Sequence, residues 1–384
     1  MFDNQLIEKF KTLETPFYYY DLALLHRTLA KVKELAEKYR FHVHYALKAN
    51  SNDKILKIIS SYGLGADCVS GNEVLKALAT GFQADHVVFA GVGKSDKEIL
   101  TALEKDIFCF NCESLQEIQV INELAEKSNK IASIAIRINP NVEANTHQYI
   151  TTGKEENKFG VNMAELNEIL EVLKNSTFIK LVGIHFHIGS QIQDLENFKN
   201  LCFRVNEIQE WFTAQNIRLT EINVGGGLGI NYHQPDLENI ADFDSYFSIF
   251  NQYLKVKPSQ RIHFELGRSI VAQCGSLISK VLYVKKGTNK QFAILDAGMN
   301  VLIRPALYQA YHKIENITST SSERATYDVV GPICESADFF GKEVSLPITQ
   351  RGDLIAIRSA GAYGEVMMSD YNLKEQAKSV LLAM

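Results

Sequence analysis

Residues 42–91 read HVHYALKANSNDKILKIISSYGLGADCVSGNEVLKALATGFQADHVVFAG, and this stretch decides the fold. Three short apolar segments, HVHYALK (42–48), GADCVS (65–70) and HVVFAG (86–91), are typical of buried strands. The segments between them, ILKIISSYG and NEVLKALATG, carry apolar residues every three or four positions, which predicts amphipathic helices. Strands that alternate with helices in this way form parallel sheets.

The same alternation continues beyond residue 91. Further strands are predicted at IFCFNC (107–112), IASIAIRI (131–138), LVGIHFHIG (181–189), EINVGGG (221–227) and RIHFELG (261–267). Eight strand–helix units over roughly 230 residues predict an α/β fold, a (β/α)8 barrel. A doubly wound open sheet is the structural alternative.

The rest of the chain has a different pattern. After residue 268 the helical periodicity fades, and runs such as SLISKVLYVKK and DLIAIRSAG predict strands. We therefore predict a barrel over 24–268 and a mostly β domain from 1–23 and 269–384, with the early strand in TPFYYYD paired to that domain. A long polar loop, 139–162, follows the fifth strand, where loops of barrels are commonly functional.

The amino-acid composition argues against several classes of binding partner and against a secreted protein. The 384 residues include 40 Lys and Arg against 45 Asp and Glu, so there is no basic footprint for nucleic acid or an anionic membrane. No apolar run of about 18 residues and no secretory signal pattern occurs, which predicts a cytoplasmic protein. Six cysteines are too sparse for a disulfide framework.

The first barrel strand ends in a lysine, Lys48. In a barrel, the carboxyl ends of the strands face the active site, and a desolvated amine there has a lowered pKa that favours Schiff-base chemistry. A lysine that merely reaches solvent is the alternative interpretation of this residue alone.

Strands seven and eight end in a glycine run and a carboxylate. Gly225, Gly226 and Gly227 expose backbone N–H groups, and the loops after strands seven and eight are the recurrent phosphate site of barrels. Glu265 and Arg268 follow on the eighth strand and its loop. A glycine run by itself is equally typical of a turn.

Two histidines in the sixth strand, His185 and His187, share one face of an ideal strand. They favour either a metal site, with Asp67 and Glu265 as further ligands, or one ring packed on a flat cofactor. A metal would leave the lysine and the glycine run unexplained. The lone CxxC of Cys109 and Cys112 has no partner pair and is interpreted as two buried thiols in a strand.

Together these features predict a pyridoxal 5'-phosphate site without a metal. Lys48 binds the cofactor covalently, His187 offers a flat face, and the glycines hold the phosphate. Glu265 keeps the pyridine nitrogen protonated, so that the ring acts as an electron sink.

Ordered motifs extend this pattern over nearly the whole chain: PFYYYD, YALKAN, GADCVSGNE, HIGSQ, NVGGGLGI, ELGRSIVA, DAGMN, RPALY, GPICESAD and GAYG. With these motifs the chain resembles the diaminopimelate decarboxylase family of fold-type III pyridoxal-phosphate enzymes, which convert meso-2,6-diaminopimelate to L-lysine and carbon dioxide in the last step of lysine biosynthesis. The resemblance implies an alanine-racemase-like barrel, a β domain, and active sites shared across a homodimer.

The resemblance also assigns roles to residues. It implies cofactor binding by Lys48, Asp67, His187, Ser190, Gly225, Gly226, Gly227, Glu265, Gly267, Arg268 and Tyr363. It implies substrate binding by Arg268, Arg304, Tyr308, Glu335 and Tyr363, and proton donation by Cys334 from the partner subunit. A guanidinium fork suits a distal carboxylate and an anion suits the adjacent ammonium, so Arg304 with Glu335 favours diaminopimelate.

Three alternatives stay open at this point. An ornithine, arginine or carboxynorspermidine decarboxylase of the same fold fits every feature except the residues for the distal end of the substrate. A non-catalytic relative would bind the cofactor or a partner protein without turnover, although Lys48 and Cys334 argue against it. A metal-dependent amidohydrolase would use His185 and His187.

Overall fold

The computed structural model describes residues 2–142 and 158–382. The chain divides into two compact units. The barrel unit comprises Leu29–Gly229 and Asp242–Gly267, and the sheet unit comprises Met1–Thr28, Ile230–Ala241 and Arg268–Met384. Most of the loop predicted to be functional, residues 143–157 of 139–162, lies outside the described residues.

The strands alternate with helices in the first part of the chain and follow one another in the last part. In chain order they are β1 (Phe17–Asp21), β2 (Phe41–Ala46), β3 (Gly65–Cys68), β4 (Val87–Phe89), β5 (Cys109–Cys112), β6 (Ala132–Arg137), β7 (Ile179–His185), β8 (Glu221–Asn223), β9 (Arg261–Leu266), β10 (Gly275–Lys286), β11 (Gln291–Leu295), β12 (Ile314–Asn316), β13 (Arg324–Val330), β14 (Phe339–Pro347), β15 (Leu354–Ile357) and β16 (Lys378–Leu382).

The α-helices are α1 (Asn4–Lys11), α2 (Leu22–Tyr39), α3 (Asp53–Ser61), α4 (Gly71–Ala79), α5 (Asp96–Glu104), α6 (Leu115–Lys127), α7 (Leu166–Lys174), α8 (Glu196–Ala214), α9 (Phe243–Tyr253), α10 (Arg268–Val271) and α11 (Arg304–Tyr308). Within residues 2–142 and 158–382, no helix is both long enough and apolar enough to cross a membrane.

The barrel unit is a closed ring of eight parallel strands, β2 to β9 in sequence order. β2 pairs with β9 as well as with β3, which closes the ring and confirms the barrel over the open-sheet alternative. Part of its core is a cluster of small and medium apolar residues from four successive strands: Val88, Cys109, Ala135 and Val182.

Serine caps explain why helices begin soon after the barrel strands. The Ser70 side chain accepts a hydrogen bond from the Glu73 backbone N–H at the start of α4. At the start of α5, the Glu98 carboxylate accepts one from the Ser95 backbone N–H. Both segments follow the Ser-x-x-Glu capping pattern, which satisfies N–H groups that the first helical turn leaves without partners.

The sheet unit contains a mostly antiparallel sheet in the order β12-β15-β10-β11-β13-β14. β1 joins it by pairing antiparallel with β10 and parallel with β16, which confirms the expectation for the early aromatic strand. One apolar cluster of this unit unites α1, β1, β10 and β15 through Leu6, Phe10, Phe17, Tyr19, Ile278, Leu354 and Ala356.

The segment Ile230–Ala241 groups with the sheet unit, whereas the sequence analysis placed it in the barrel. The Gln273 side-chain amide donates hydrogen bonds to the carbonyl oxygens of Asn231 and Glu238, at 3.2 and 2.9 Å. Arg358 Nη2 also lies 2.8 Å from Asp236 Oδ1. These polar contacts form between segments far apart in sequence, so hydrophobic periodicity carries no signal for them.

Candidate active site

Lys48 and Asp67 meet at the carboxyl end of the first two barrel strands. β2 ends at Ala46, and Ala46 is in register with Asp67 of β3, so the turn that follows β2 brings Lys48 alongside Asp67. Lys48 Nζ lies 2.6 Å from Asp67 Oδ2. The Lys48 side chain is 40% exposed, whereas that of Asp67 is fully buried.

One carboxylate oxygen of Asp67 accepts no hydrogen bond from a described residue. Its Oδ1 atom is buried and has no hydrogen-bond partner within residues 2–142 and 158–382. Burial raises the pKa of Asp67, the charge of Glu265 adds to the effect, and Lys48 opposes both. A buried carboxyl group with one unsatisfied oxygen is the kind of atom that a bound polar ligand satisfies.

Glu265 lies inside the barrel as an acceptor for three donors. Its Oε1 accepts hydrogen bonds from the side-chain amides of Asn111 and Asn223, at 2.9 and 2.7 Å. Its Oε2 lies 3.0 Å from His185 Nε2. The donors come from β5, β8 and β7, so three strands other than its own fix the carboxylate.

The Glu265 carboxylate is held ionised. Burial by itself would raise its pKa, but the charge and hydrogen bond of His185 and the charge of Lys48 outweigh burial and hold the pKa well below its usual value. Asp67 and Glu265 are thus two buried carboxyl groups with pKa values moved in opposite directions. Such a divergence is typical of catalytic sites with separate roles for two acids.

The two histidines of the HFH segment have different partners. His185 ends β7 and bonds to Glu265, and its Nδ1 is buried without a hydrogen-bond partner among the described residues. His187 Nδ1 accepts a 3.3 Å hydrogen bond from the Gly226 N–H. Burial, with Arg137 adding to it, lowers the pKa of His187 to about 3, so its ring is neutral. Where the structure describes the chain, no group of three or more His, Cys, Asp or Glu residues is arranged to hold a metal.

The glycine run permits close contact between backbones. Gly225 and Gly227 have φ values of 71° and 111°, in the left-handed region that favours glycine. A Cβ atom on Gly226 would lie 1.9 Å from the Glu265 carbonyl oxygen. Side chains larger than hydrogen are therefore excluded beside Glu265.

The N–H groups of this run are only partly available to a phosphate. The Gly225 N–H donates to Asn223 Oδ1 and the Gly226 N–H to His187 Nδ1. The Gly227 N–H has no hydrogen bond to a described residue. Of the three N–H groups of the phosphate site predicted at Gly225, Gly226 and Gly227, two thus bond to described residues and one does not, and the site stays a prediction.

Replacing Gly226 with alanine tests the close backbone contact. The new Cβ would collide with the Glu265 carbonyl, so we expect a loss of about 3 kcal/mol or more in stability and weaker cofactor binding. Thermal melting of the cofactor-free protein and titration with pyridoxal phosphate measure both effects. Gly93→Ala is the matched control, because nothing lies within 4 Å of its added Cβ. An unchanged melting temperature in Gly226→Ala would contradict the contact.

In the sheet unit, two buried arginines share one tyrosine oxygen. Arg268 Nη1 and Arg304 Nη1 donate hydrogen bonds to the Tyr232 hydroxyl, at 2.6 and 3.1 Å. Burial alone would raise the pKa of Tyr232, but the two guanidinium charges outweigh it and lower the pKa. A concentration of buried positive charge around one oxygen suits an anionic ligand. The Arg268 guanidinium carbon also lies 5.0 Å from the centre of the Tyr363 ring.

The remaining predicted residues lie in turns and short helices. Ser190 follows β7 in a turn and is partly buried, and Gly267 lies between β9 and α10. Arg304 and Tyr308 are the first and last residues of α11, which places them one turn apart. Tyr363 has a φ of 56° and is partly buried.

Cys334 and Glu335 lie in an exposed loop after β13. The Cys334 backbone N–H donates to Asn372 Oδ1 at 3.0 Å, and Glu335 Oε1 accepts a hydrogen bond of 2.5 Å from the Tyr371 hydroxyl. Asp338 anchors the loop, because its buried carboxylate accepts hydrogen bonds from the backbone N–H groups of Ile333 and Met299. Residues 334–337 are all exposed.

Sequence reasoning missed three residues that shape these clusters and gave a fourth, His185, a different role. Asn111, Asn223 and His185 hold Glu265, and Tyr232 joins the two arginines. Asn111 and Asn223 are polar residues inside apolar strands, which was the only signal in the sequence. His185 was considered only as a metal ligand or as a ring facing the cofactor.

Comparison with known proteins gives consistent results. The family model "Pyridoxal-dependent decarboxylase, pyridoxal binding domain" matches residues 22–272. A diaminopimelate decarboxylase of Bacteroides thetaiotaomicron is 58% identical over 373 residues, covering 97% of this chain and 96% of its own. The structure of the Helicobacter pylori diaminopimelate decarboxylase complexed with L-lysine is 44% identical with a TM-score of 0.92, covering 98% of this chain and 93% of its own.

A more distant structure shares the fold alone. The lysine/ornithine decarboxylase of Vibrio vulnificus, complexed with putrescine, has a TM-score of 0.86 at 20% identity and covers 100% of this chain and 99% of its own. The same fold therefore occurs in decarboxylases whose names indicate different substrates.

Proposed function

The chain belongs to the pyridoxal-dependent decarboxylases, within the diaminopimelate decarboxylase family, and on that premise we propose that it converts meso-2,6-diaminopimelate to L-lysine and carbon dioxide. The observation that carries the proposal is 58% identity to a curated diaminopimelate decarboxylase over 97% of the chain. The polar cluster in the barrel and the arginine pair of the sheet unit supply side chains suited to this reaction.

The residues of the barrel unit fit pyridoxal 5'-phosphate. A partly exposed lysine side chain, an ionised buried carboxylate and the unsatisfied Asp67 Oδ1 form a donor and acceptor set that this cofactor complements. When bound, the cofactor supplies an electron sink for the charge that is left on the α-carbon as carbon dioxide departs. Within this assignment, Lys48 holds the cofactor covalently through its amine.

The surrounding side chains hold and tune the cofactor. Glu265 keeps the pyridine nitrogen protonated, because the carboxylate is ionised and fixed by three donors. His187 offers a neutral ring for stacking. The phosphate is assigned to backbone and hydroxyl donors: Ser190, Gly225, Gly226, Gly227, Gly267 and Arg268.

Arg268 and Arg304 bind the carboxylate at the unreactive L-configured end of the substrate. Both guanidiniums are buried, and the hydrogen bonds of Arg304 to described residues go to Tyr232 and His312, neither of which is a carboxylate. Ornithine has only a cationic distal end, which this positive charge repels. Tyr308 and Tyr363 line the same subsite, and Glu335 receives the distal ammonium group.

Cys334 donates the proton that replaces the lost carboxylate, and it acts in the site of a second copy of the chain. The exposure of residues 334–337 supports this assignment, because it leaves the loop accessible to a second copy of the chain. The enzyme is accordingly a homodimer with shared active sites. It resides in the cytoplasm, in keeping with cysteines that are all free within the described chain.

Replacing Cys334 with alanine should lower kcat about a hundredfold while pyridoxal phosphate stays bound, because proton donation by a positioned acid contributes about this factor. Steady-state kinetics and cofactor absorbance measure the two effects. Cys202→Ala, which removes a buried thiol of α8, is the control that keeps full turnover. An unchanged kcat in Cys334→Ala would reject the donor role.

Mixing an inactive variant with a strongly impaired one tests the shared sites. Lys48→Ala and Cys334→Ala chains are dissociated, combined and reassociated; half of the resulting dimers then carry one site with both native residues. Shared sites should restore about a quarter of the wild-type activity, whereas sites contained within one chain restore none.

A parallel substrate assay tests the proposed function itself. The holoenzyme is supplied with meso-diaminopimelate, L-ornithine, L-arginine or carboxynorspermidine, and the products are quantified. Lysine formation with little turnover of the other three supports the assignment of Arg304 and Glu335. Turnover of another substrate alone contradicts the assignment of the distal subsite, and no turnover of any favours a non-catalytic relative.

A further inference from the structure

One nitrogen of the Arg304 guanidinium, Nη1, donates hydrogen bonds to two acceptors. Its Nη1 atom carries two protons, and it lies 3.1 Å from the Tyr232 oxygen and 2.9 Å from His312 Nε2. Both Nη1 protons are therefore committed. Nε and Nη2 of Arg304 make no hydrogen bond to any residue within 2–142 and 158–382.

His312 can accept this bond because its other ring nitrogen is the donor. His312 Nδ1 lies 2.8 Å from the carbonyl oxygen of Arg358, which can only accept, so Nδ1 carries the proton and Nε2 the lone pair. His312 is buried. Burial first, and the charge of Arg304 second, lower the pKa of His312 to about 3, which keeps the ring neutral.

Tyr232 supports the same arrangement from the other side. Its oxygen accepts from both Arg268 and Arg304, and its ring packs edge-on against His312 with centroids 5.2 Å apart. The Tyr232 oxygen thus holds two guanidinium groups close together, and the hydrogen bond to His312 fixes the plane of the Arg304 guanidinium.

We propose that His312 and Tyr232 are positioning residues, which fix Arg304 so that its Nε–Nη2 edge receives the distal carboxylate of the substrate. This inference rests on the proposed function and adds to it the residues that set specificity. A guanidinium binds a carboxylate best through two parallel N–H donors on one edge, and a fixed plane keeps that edge aligned. Without the His312 acceptor, Arg304 turns toward other partners and the fork is lost.

Two amide substitutions separate this role from a general structural one. In His312→Gln, the amide oxygen can occupy the place of Nε2 and still accept from Arg304. In His312→Asn, the shorter amide can replace only the Nδ1 donor to Arg358. Asparagine also leaves the larger cavity at this buried position, so a role in packing alone predicts a lower stability in His312→Asn and an equal loss of affinity for ligands with and without a carboxylate.

We expect the KM for meso-diaminopimelate to rise about tenfold in His312→Asn and less than about threefold in His312→Gln, with kcat changed less than about twofold in both. Calorimetric titration of the holoenzyme gives an independent readout. The Kd for L-lysine should rise as the KM does, whereas that for 1,5-diaminopentane, which lacks the carboxylate, should not. Tyr283→Phe, at an exposed tyrosine, is the control.

The outcomes distinguish the inference from the proposed function. Equal KM effects in the two variants, or an equal loss of diamine binding, would overturn the positioning role while wild-type lysine formation leaves the function intact. A wild-type enzyme that does not decarboxylate diaminopimelate would overturn the function instead. If His312→Asn does not fold, Tyr232→Phe provides a second arm: it keeps the ring and removes the shared oxygen, and an unchanged KM there rejects the proposal.

Discussion

The Lys48→Ala variant is expected to form no measurable L-lysine and to bind pyridoxal phosphate without covalent attachment. Lys48 supplies the amine at the carboxyl end of the first barrel strand, 2.6 Å from the buried carboxylate of Asp67. Loss of the nucleophile should lower turnover by about a thousandfold or more. Borohydride reduction followed by peptide mass spectrometry identifies the lysine that holds the cofactor.

Two further lysine variants make this test specific. Lys48→Arg keeps a positive charge near Asp67 but has no amine able to bind the cofactor, so it should be as inactive as Lys48→Ala. Lys94 is a second lysine of the barrel unit, but its amine bonds to the Gly91 and Asn111 carbonyls and to Glu117. Lys94→Met should therefore lose stability and keep the covalent bond. Cofactor attached at Lys94, or turnover by Lys48→Arg, would contradict the assignment.

The position of Lys48 could be predicted because strand ends follow from local sequence. Short apolar runs and helical periodicity mark where each strand stops and each helix starts, and parallel strands place their carboxyl ends together. The register of Ala46 with Asp67 then fixes the neighbour of Lys48. The barrel and the position of Lys48 were thus within reach of the sequence, whereas the pairing of Lys48 with Asp67 comes from the structure.

The sequence could not predict which side chains donate hydrogen bonds to Glu265. Alternation along a strand shows which side chains face inward, but the stagger of the closed barrel decides which of them meet across it. Asn111 and Glu265 are 154 residues apart in the chain and 2.9 Å apart in space. The same limit applies to Tyr232, which lies 72 residues before Arg304 in a segment assigned to the barrel.

Replacing Glu265 with glutamine should lower kcat by about a hundredfold to a thousandfold while the cofactor still binds at Lys48. A neutral amide cannot hold the pyridine nitrogen protonated, so the electron sink weakens. The glutamine N–H group would also point toward donors from Asn111, Asn223 or His185, and each buried donor left without an acceptor costs about 1–3 kcal/mol. Steady-state kinetics, cofactor absorbance and thermal melting separate the catalytic loss from the structural one.

Glu221→Gln is the matched control for this prediction. Glu221 is also a buried glutamate of the barrel unit, with its pKa lowered to about 2 because hydrogen bonds from His263 and Arg261 outweigh burial. It is the first residue of β8, at the end of the barrel opposite the carboxyl ends of the strands. Its replacement should destabilise the fold to a similar degree and leave kcat within about threefold of the wild type. If both variants lose turnover equally, the loss reflects stability, and Glu265 has no electronic role toward the cofactor.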